Sequence, residues 1–205
     1  MESLPSGIQY RHWPVDDAKA CVLLAHGLAE HTGRYEHVAA RFNERGVAVV
    51  GPDHRGHGAS PGARVYLKSI SEYLEPMQAL RTRIDEWYPG RPVFLMGHSM
   101  GGLIGAHLLL ASQAAFQGAM LSGPAFHAVD PAPAPLLWVG RVLKKVLPKL
   151  GMVSLDANGV SRDPAVVAHS FAGPLVYVGR FTSGFGLEML NCMEVAFARA
   201  GEITL

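Results

Sequence analysis

The sequence PVFLMGHSMGG at Pro92–Gly102 decides the fold that we expect for this chain. The apolar run Val93–Met96 predicts a buried strand, and the G-x-S-x-G pattern of Gly97–Gly101 follows it directly. In a chain with 23 glycines the pattern alone is weak evidence, but a strand before it and a small-residue helix after it form the required context. Such a turn lifts the central hydroxyl above the sheet and aims the next amide at the same point. We therefore predict that Ser99 is a nucleophile and that the Met100 amide is one donor of an oxyanion hole.

Apolar runs and helical patterns alternate on both sides of this segment. Further strands are predicted at Cys21–Ala25, Val47–Val50 and Ala119–Leu121, and helices at Tyr35–Arg45, Ser69–Tyr88 and Met100–Ala115. Because the predicted strands are apolar throughout, they suit a sheet that is buried on both faces. The alternation of strand and helix predicts an α/β fold with a mostly parallel sheet and right-handed crossovers.

The alternation stops where spaced prolines appear. Pro131, Pro133 and Pro135 can neither continue a strand nor occupy the interior of a helix. Leu136–Leu150 then has an amphipathic helical pattern with basic residues among the apolar ones. This pattern predicts a helical cap inserted into the sheet domain.

This interpretation divides the chain into three parts. Residues 1–126 are predicted to form the core through the serine turn, and residues 127–200 to form the cap or lid. Residues 201–205 are predicted to begin the next core strand, and the last strand-helix units are expected to be absent from this chain.

Two more loops are predicted at the carboxyl edge of the sheet. His26–His31 follows the first predicted strand, in the position from which a second oxyanion donor comes, and we predict that the Leu28 amide is this donor. Considered without Ser99, the same segment is also compatible with an ordinary glycine turn. Asp53–Ser60 follows the next strand, and we interpret it as scaffold at the same edge.

Composition excludes several classes of protein. The 18 Lys and Arg balance 17 Asp and Glu without a basic stripe, so nucleic acid is not an expected partner. The 2 distant cysteines favour a reducing compartment, and the first residues do not match a secretory signal peptide. No apolar window is long enough to predict a membrane span. The five histidines between His26 and His57 lack zinc-site spacing, so no metal is expected.

The chain resembles the monoacylglycerol lipase and lysophospholipase-like group of the α/β-hydrolase fold, also described as serine aminopeptidase S33. The segments that carry the resemblance are His26–Tyr35, Asp53–Gly58, Pro92–Gly102 and Ser161–Pro164. The resemblance implies an α/β-hydrolase fold with an inserted helical cap that guides a fatty acyl chain. It also implies roles for six residues: Ser99 as the nucleophile, the amides of Leu28 and Met100 as the oxyanion hole, and Glu30, Arg34 and His98 at the polar end of the substrate pocket.

Two departures from the family pattern stand out. Ser170–Leu175 replaces the usual Tyr-x-x-Asp-Pro-Leu of the cap, which predicts that Arg34 lacks its usual acidic partner. The second departure is the expected absence of the segment that carries the triad acid and histidine. The triad order of the fold is Ser, Asp, His, and the acid and the histidine lie on loops after strands that follow the cap.

Internal replacements for these two triad residues do not fit the predicted fold. The candidates are Asp130, Asp156, Asp163, His107, His127 and His169. His107 falls inside the helix after the nucleophile, and the others fall in the cap. We therefore expect residues 1–205 alone to be nearly inactive.

The leading hypothesis is a serine hydrolase of carboxylic esters. Its substrates are monoacylglycerol or lysophospholipid esters, which react through an acyl-enzyme on Ser99. One alternative is a non-catalytic fragment without the triad acid and histidine, and another is an amidase or peptidase with the same machinery. The mechanism needs no metal and no organic cofactor. The expected location is the cytoplasm, with peripheral membrane contact through the cap, and protein partners are not specified.

Overall fold

The structure is a computed structural model that describes residues 1–127, 147, 150–154, 162–163, 165, 167 and 173–205. Most of the predicted cap helix over 136–150 lies outside the described residues, as do Asp130, Asp156 and His169.

The centre of the fold is a sheet whose parallel strands are those that the sequence predicts. In chain order the described strands of this sheet are β1 (Glu2–Ser3), β2 (Gln9–Trp13), β3 (Ala20–Ala25), β4 (Val47–Pro52), β5 (Val93–His98) and β6 (Gly118–Ser122). Their order in space is β1-β2-β4-β3-β5-β6. The pairs β4–β3, β3–β5 and β5–β6 are parallel, whereas β1 and β2 add antiparallel pairs at one edge. The mostly parallel sheet is therefore confirmed.

Helices cover the two faces of this sheet. They are α1 (Glu36–Asn43), α2 (Ser71–Trp87) and α3 (Met100–Ser112). On one face Cys21 and Leu23 of β3 share a core cluster with buried side chains of α2 and α3. On the other face Val22 and Leu24 pack with Ala39 of α1. Alternate side chains of one apolar strand thus enter two cores, as a strand buried on both faces requires.

The described residues after the masked segments add a short ribbon and one helix. Strands β7 (Gly151–Ser154) and β8 (Arg180–Thr182) pair antiparallel, and α4 (Ser183–Ala198) follows. Phe185, Met189 and Cys192 of α4 are buried in the same cluster as α3. Although the sequence analysis assigns α4 to the cap, this helix packs against the core. The domain limits themselves stay a prediction.

The last residues lie beside the end of α3. Ala200–Glu202 is a short 3-10 helix, and the side-chain amide of Gln113 accepts from the Thr204 N–H at 2.8 Å and donates to the Glu202 carbonyl at 2.8 Å. Residues 203–205 have no strand pairing with any described residue. A core strand that begins at 201–205 also stays a prediction.

None of the helices in the described ranges is long and apolar enough to cross a membrane.

Candidate active site

Ser99 lies on a sharp turn between β5 and α3. Its backbone has φ +52° and ψ −117°, a conformation that side-chain-bearing residues rarely adopt and that costs on the order of 1–3 kcal/mol. Surrounding hydrogen bonds hold it: the Ser99 N–H donates to the Ser122 carbonyl at 3.0 Å, and the Ser99 carbonyl accepts from Ala125 at 3.0 Å. The sequence PVFLMGHSMGG therefore forms the strand-turn-helix that its pattern predicts.

Glycines permit the tight packing of this turn. A Cβ at Gly97 would meet the Gly101 carbonyl oxygen and would lie 2.9 Å from the Gly102 Cα. A Cβ at Gly101 would collide with the Ala25 carbonyl and lie 2.6 Å from the His26 carbonyl oxygen. The start of α3 consequently lies directly against the end of β3, where the predicted oxyanion loop begins.

Leu28 and Met100 have amides that remain available for a ligand. Neither N–H hydrogen-bonds to a residue within the described ranges. Leu28 and Ala29 are the central residues of a turn, and Ala29 has φ +62°. Because α3 abuts the end of β3, the structure brings this turn and the first amide of α3 to the same edge of the sheet.

Glu30 closes this turn. Its Oε1 accepts the Gly27 N–H at 2.6 Å and the Tyr35 hydroxyl at 2.8 Å, and its Oε2 lies 3.3 Å from Nη1 of Arg34. Burial, with the nearby Glu30 charge as a second cause, raises the pKa of Tyr35, so its hydroxyl stays protonated and remains a donor. Arg34 thus has an acidic partner within its own loop, and the changed cap sequence does not leave it unpaired.

A polar cavity of about 260 Å³ adjoins the serine turn. Glu30, Arg34, His98 and Ser122 all line it, together with residues of α1. Nδ1 of His98 lies 3.1 Å from the Ser122 carbonyl oxygen. The three residues that the resemblance assigns to a polar substrate pocket therefore line one cavity.

The loop Asp53–Ser60 supports the oxyanion loop from behind. Asp53 accepts the Thr32 N–H at 2.8 Å through Oδ1 and the Ala59 N–H at 2.9 Å through Oδ2. Nε2 of His26 accepts the His54 N–H at 3.0 Å, which leaves Nδ1 as the donor to the Gly27 carbonyl at 2.7 Å. These contacts agree with the interpretation of this loop as scaffold.

Three histidines of this region, His26, His54 and His57, are buried. Burial lowers the pKa of His26, His54 and His57, that of His57 to about 3. In the part of the chain that the structure describes, no three His, Cys, Asp or Glu side chains are placed to hold a metal ion.

One contact of the oxyanion turn was not predicted from the sequence. The Tyr177 N–H donates to the Ala29 carbonyl at 2.9 Å, so a segment far along the chain binds the turn. A backbone hydrogen bond depends on position rather than on residue type, and the sequence therefore holds no signal for it.

No base contacts Ser99 within the described ranges, where no histidine or carboxylate hydrogen-bonds to its Oγ. Nε2 of His107 lies 2.9 Å from the Cys192 carbonyl oxygen, and Asp163 accepts the Ala165 N–H at 2.8 Å. Both side chains are therefore engaged elsewhere.

Comparison with known proteins identifies the family. The model of the family described as serine aminopeptidase, S33 matches residues 16–205. The chain belongs to this family. A monoacylglycerol lipase of Mycolicibacterium smegmatis is 40% identical to this S33 chain over 198 residues, which are 96% of the chain and 71% of that relative. Human monoglyceride lipase is 33% identical over 90% of the chain and 61% of its own length. The chain thus spans between 61% and 71% of these two relatives.

Solved structures give the same fold. The crystal structure of Paleococcus ferrophilus monoacylglycerol lipase matches with a TM-score of 0.84 and 29% identity, covering 96% of this S33 chain and 74% of that chain. With the sheet order and the serine turn, this match establishes the α/β-hydrolase fold.

Proposed function

We propose that this protein is a carboxylic ester hydrolase with Ser99 as its nucleophile. The observation that carries the proposal is the serine turn: a strained Ser99 between β5 and α3, with the Leu28 and Met100 amides, which have no partner among the described residues, at the same edge of the sheet. Membership in the S33 family and similarity to monoacylglycerol lipases support the reaction class.

The proposed reaction has two steps. Ser99 Oγ attacks the ester carbonyl while a base takes its proton, and the carbonyl oxygen becomes an oxyanion that accepts from the Leu28 and Met100 amides. Collapse of this intermediate breaks the acyl-oxygen bond, and the alcohol leaves with a proton returned by the base. Water then attacks the acyl-enzyme in the same way, releasing the fatty acid and restoring the serine. The mechanism needs neither a metal nor an organic cofactor.

The substrate class that we favour is monoacylglycerol. Similarity to a monoacylglycerol lipase and to a monoglyceride lipase supports it. The Arg34 guanidinium and the His98 ring also line the cavity next to the serine turn, where they can hydrogen-bond to the hydroxyls of a polar alcohol. Lysophospholipids carry the same acyl ester and are the second candidates. Peptides and amides, which the same machinery can cleave, are the third.

The base and the acid of the triad are proposed to come from outside the described residues. His107 and Asp163 are engaged elsewhere. Asp130, Asp156 and His169 lie outside the described ranges, in the part of the sequence assigned to the cap. Because the triad order of the fold places the acid and the histidine on loops after strands that follow the cap, we also propose that a polypeptide of residues 1–205 alone is nearly inactive.

We also propose a cytoplasmic location with peripheral membrane contact. Residues 127–155 contain four Lys or Arg and one Asp, a net charge of 4 − 1 = +3 beside apolar side chains. Replacement of Lys144 and Lys145 by Glu is expected to weaken binding to anionic vesicles and to spare hydrolysis of a short soluble ester.

Activity of a serine variant tests the proposal. In the complete protein, Ser99→Ala is expected to lower hydrolysis of 1-monooleoylglycerol by roughly 10⁵-fold or more. Ser112→Ala, on the same helix but with its Oγ bonded to the Leu108 carbonyl at 3.2 Å, is the matched control and keeps activity. Lysophosphatidylcholine and a peptide amide, assayed in parallel, rank the three substrate classes. Hydrolysis by Ser99→Ala within tenfold of the parent rate would exclude Ser99 as the nucleophile.

A further inference from the structure

We infer that Glu30 is a positioning residue of the oxyanion hole: its carboxylate fixes the turn that presents the Leu28 amide. The inference rests on the proposed function and deepens it. It changes the role of Glu30 from a wall of the substrate pocket to a support of the reacting site.

The Glu30 carboxylate is buried and engaged in contacts on both oxygens. The residue is only 8% exposed, and both of its oxygens have partners. Oε1 accepts from the Gly27 N–H at 2.6 Å and from the Tyr35 hydroxyl at 2.8 Å, while Oε2 faces Arg34 at 3.3 Å. Charge-assisted hydrogen bonds of this length are strong and directional, so the carboxylate is fixed in one orientation. With both oxygens engaged, it is poorly placed to act as a base on substrate.

Glu30 closes the turn that carries the Leu28 amide. The bond from the Gly27 N–H to the Glu30 side chain spans the base of the turn whose central residues are Leu28 and Ala29. Ala29 has φ +62°, a left-handed conformation that residues with a Cβ rarely adopt and that needs external support. The His26 ring binds the Gly27 carbonyl, and the Tyr177 N–H donates to the Ala29 carbonyl. The Gly27 carbonyl and the Leu28 N–H belong to the same peptide group, so the bond to His26 also orients the Leu28 N–H. The Leu28 N–H is left without a hydrogen-bond partner among the described residues.

The negative charge of the Glu30 carboxylate is offset by its neighbours. A carboxylate next to a site where negative charge develops would oppose catalysis if it were bare. Arg34, Tyr35 and the Gly27 N–H all direct positive charge or a positive dipole end at this carboxylate. The Glu30 carboxylate therefore remains a rigid hydrogen-bond acceptor, while these neighbours offset its negative charge.

Gly27 has no side chain, and the Glu30 carboxylate occupies the space that one would need. A Cβ there would lie 2.7 Å from Oε1 of Glu30, closer than real Cβ contacts. The Gly27 φ is not positive, so a larger residue is excluded by the approach of the carboxylate and not by backbone conformation. Gly27→Ala consequently displaces Glu30 from the amide without removing buried apolar area.

Steady-state kinetics of Glu30 variants in the complete protein tests the inference. Loss of one well-placed oxyanion donor costs roughly 10²–10³-fold in kcat, and a displaced donor costs part of that. For p-nitrophenyl butyrate we expect Glu30→Ala to lower kcat by roughly 10- to 100-fold with KM within about threefold, because the oxyanion forms only in the transition state. Affinity for a boronic acid, whose adduct places an oxygen in the same hole, falls in parallel. Glu30→Gln keeps the acceptor oxygen for Gly27 and Tyr35 and is expected to restore kcat to within about threefold of the parent.

Two further variants make the test decisive. Glu44→Ala removes an exposed glutamate that pairs with Arg41 at 3.0 Å on α1, and it is the matched control with unchanged kinetics. Gly27→Ala is expected to reproduce the loss in kcat, and the double variant with Glu30→Ala loses no more than the worse single variant. If Glu30→Ala does not fold, Gly27→Ala decides the question by the same criterion.

The outcomes separate this inference from the proposed function. An inactive parent would overturn both. An active parent whose Glu30→Ala or Gly27→Ala variant keeps its kcat, or changes only KM, would overturn the positioning role alone.

Discussion

Ser99 is held in a strained conformation at the residue scale, and its neighbours explain why the strain persists. Its backbone bonds to Ser122 and Ala125, and glycines on both sides let β5 and α3 approach more closely than any side chain allows. The strain is thus maintained by packing that the glycines make possible. The consequence is a serine held between the last residue of β5 and the first residue of α3.

The buried histidines predict how stability depends on pH. In the unfolded chain His57 binds a proton below a pH of about 6.5, whereas burial lowers its folded-state pKa to about 3. Between these values the unfolded state binds more protons, so stability is lost as the pH falls from 6.5. At pH 5 the loss is about 2 kcal/mol for one such histidine. Nε2 of His57 and both ring nitrogens of His54 also lack hydrogen-bond partners among the described residues, so protonation in place is not compensated.

Urea unfolding of the protein at pH 7 and pH 5 measures this dependence. His57→Gln is expected to reduce the difference between the two unfolding free energies by about 2 kcal/mol. His37→Gln, at an exposed position on α1, is the control and leaves the difference unchanged. Equal pH dependence in His57→Gln and the parent would contradict the assignment.

At the scale of elements, Thr182 joins α4 to a strained loop of the core. Its Oγ1 accepts the Phe185 N–H at 3.2 Å, which caps α4, and donates to the Val65 carbonyl at 2.8 Å. Val65 is fully buried with φ +46°, an outlier for a β-branched residue. One hydroxyl therefore holds both the start of a helix and the loop that faces it.

Thr182→Val preserves shape and removes both hydrogen bonds. We expect the free energy of unfolding to fall by about 1–2 kcal/mol, because the helix cap is lost and the Val65 carbonyl keeps only the longer bond from the backbone N–H of residue 182 at 3.4 Å. Thr82→Val, on the exposed side of α2, is the control and changes stability by less than about 0.5 kcal/mol. Denaturant titration of the three proteins checks this, and equal midpoints would show that the hydroxyl contributes nothing.

The elements that could be predicted from sequence are those with continuous apolar patterns. Each predicted parallel strand is confirmed, and its observed ends differ from the predicted ones by at most two residues. A short apolar run between glycine-rich loops is typical of a buried strand. Strand β2, QYRHW, was missed because it mixes polar and apolar residues at an edge of the sheet. The order of strands in space was also beyond local patterns, since it depends on long-range pairing.

The candidate site likewise contains residues that the sequence predicts and contacts that it does not. Ser99, Leu28 and Met100 follow from glycine patterns at strand ends, which the structure reproduces as turns. The Tyr177 contact and the positive φ of Ala29 arise from tertiary packing and leave no local signal. The partners of Glu30 combine nearby residues, but their directions appear only when the turn is built.

At the scale of the whole molecule, the edge strand β6 and the surroundings of Ser99 bear on how a polypeptide of residues 1–205 behaves. β6 pairs with β5 on one side and has no partner among the described residues on the other, and Met120 is 40% exposed there. An unpaired edge of this kind favours association. Ser99 also lacks a base among the described residues.

A polypeptide of residues 1–205 alone is therefore expected to associate and to hydrolyse 1-monooleoylglycerol on the order of 10⁶-fold more slowly than the complete protein, since a serine without its imidazole stays protonated. Size-exclusion chromatography and parallel assays of both proteins check this. Comparable rates would show that a base exists within residues 1–205.

Covalent labelling tests the central claim most directly. The complete protein is treated with a fluorophosphonate, digested and analysed by tandem mass spectrometry. We predict a single adduct on the peptide that contains Ser99, with loss of ester hydrolysis in proportion to labelling. An adduct on another residue, or full inhibition without an adduct on Ser99, would contradict the account.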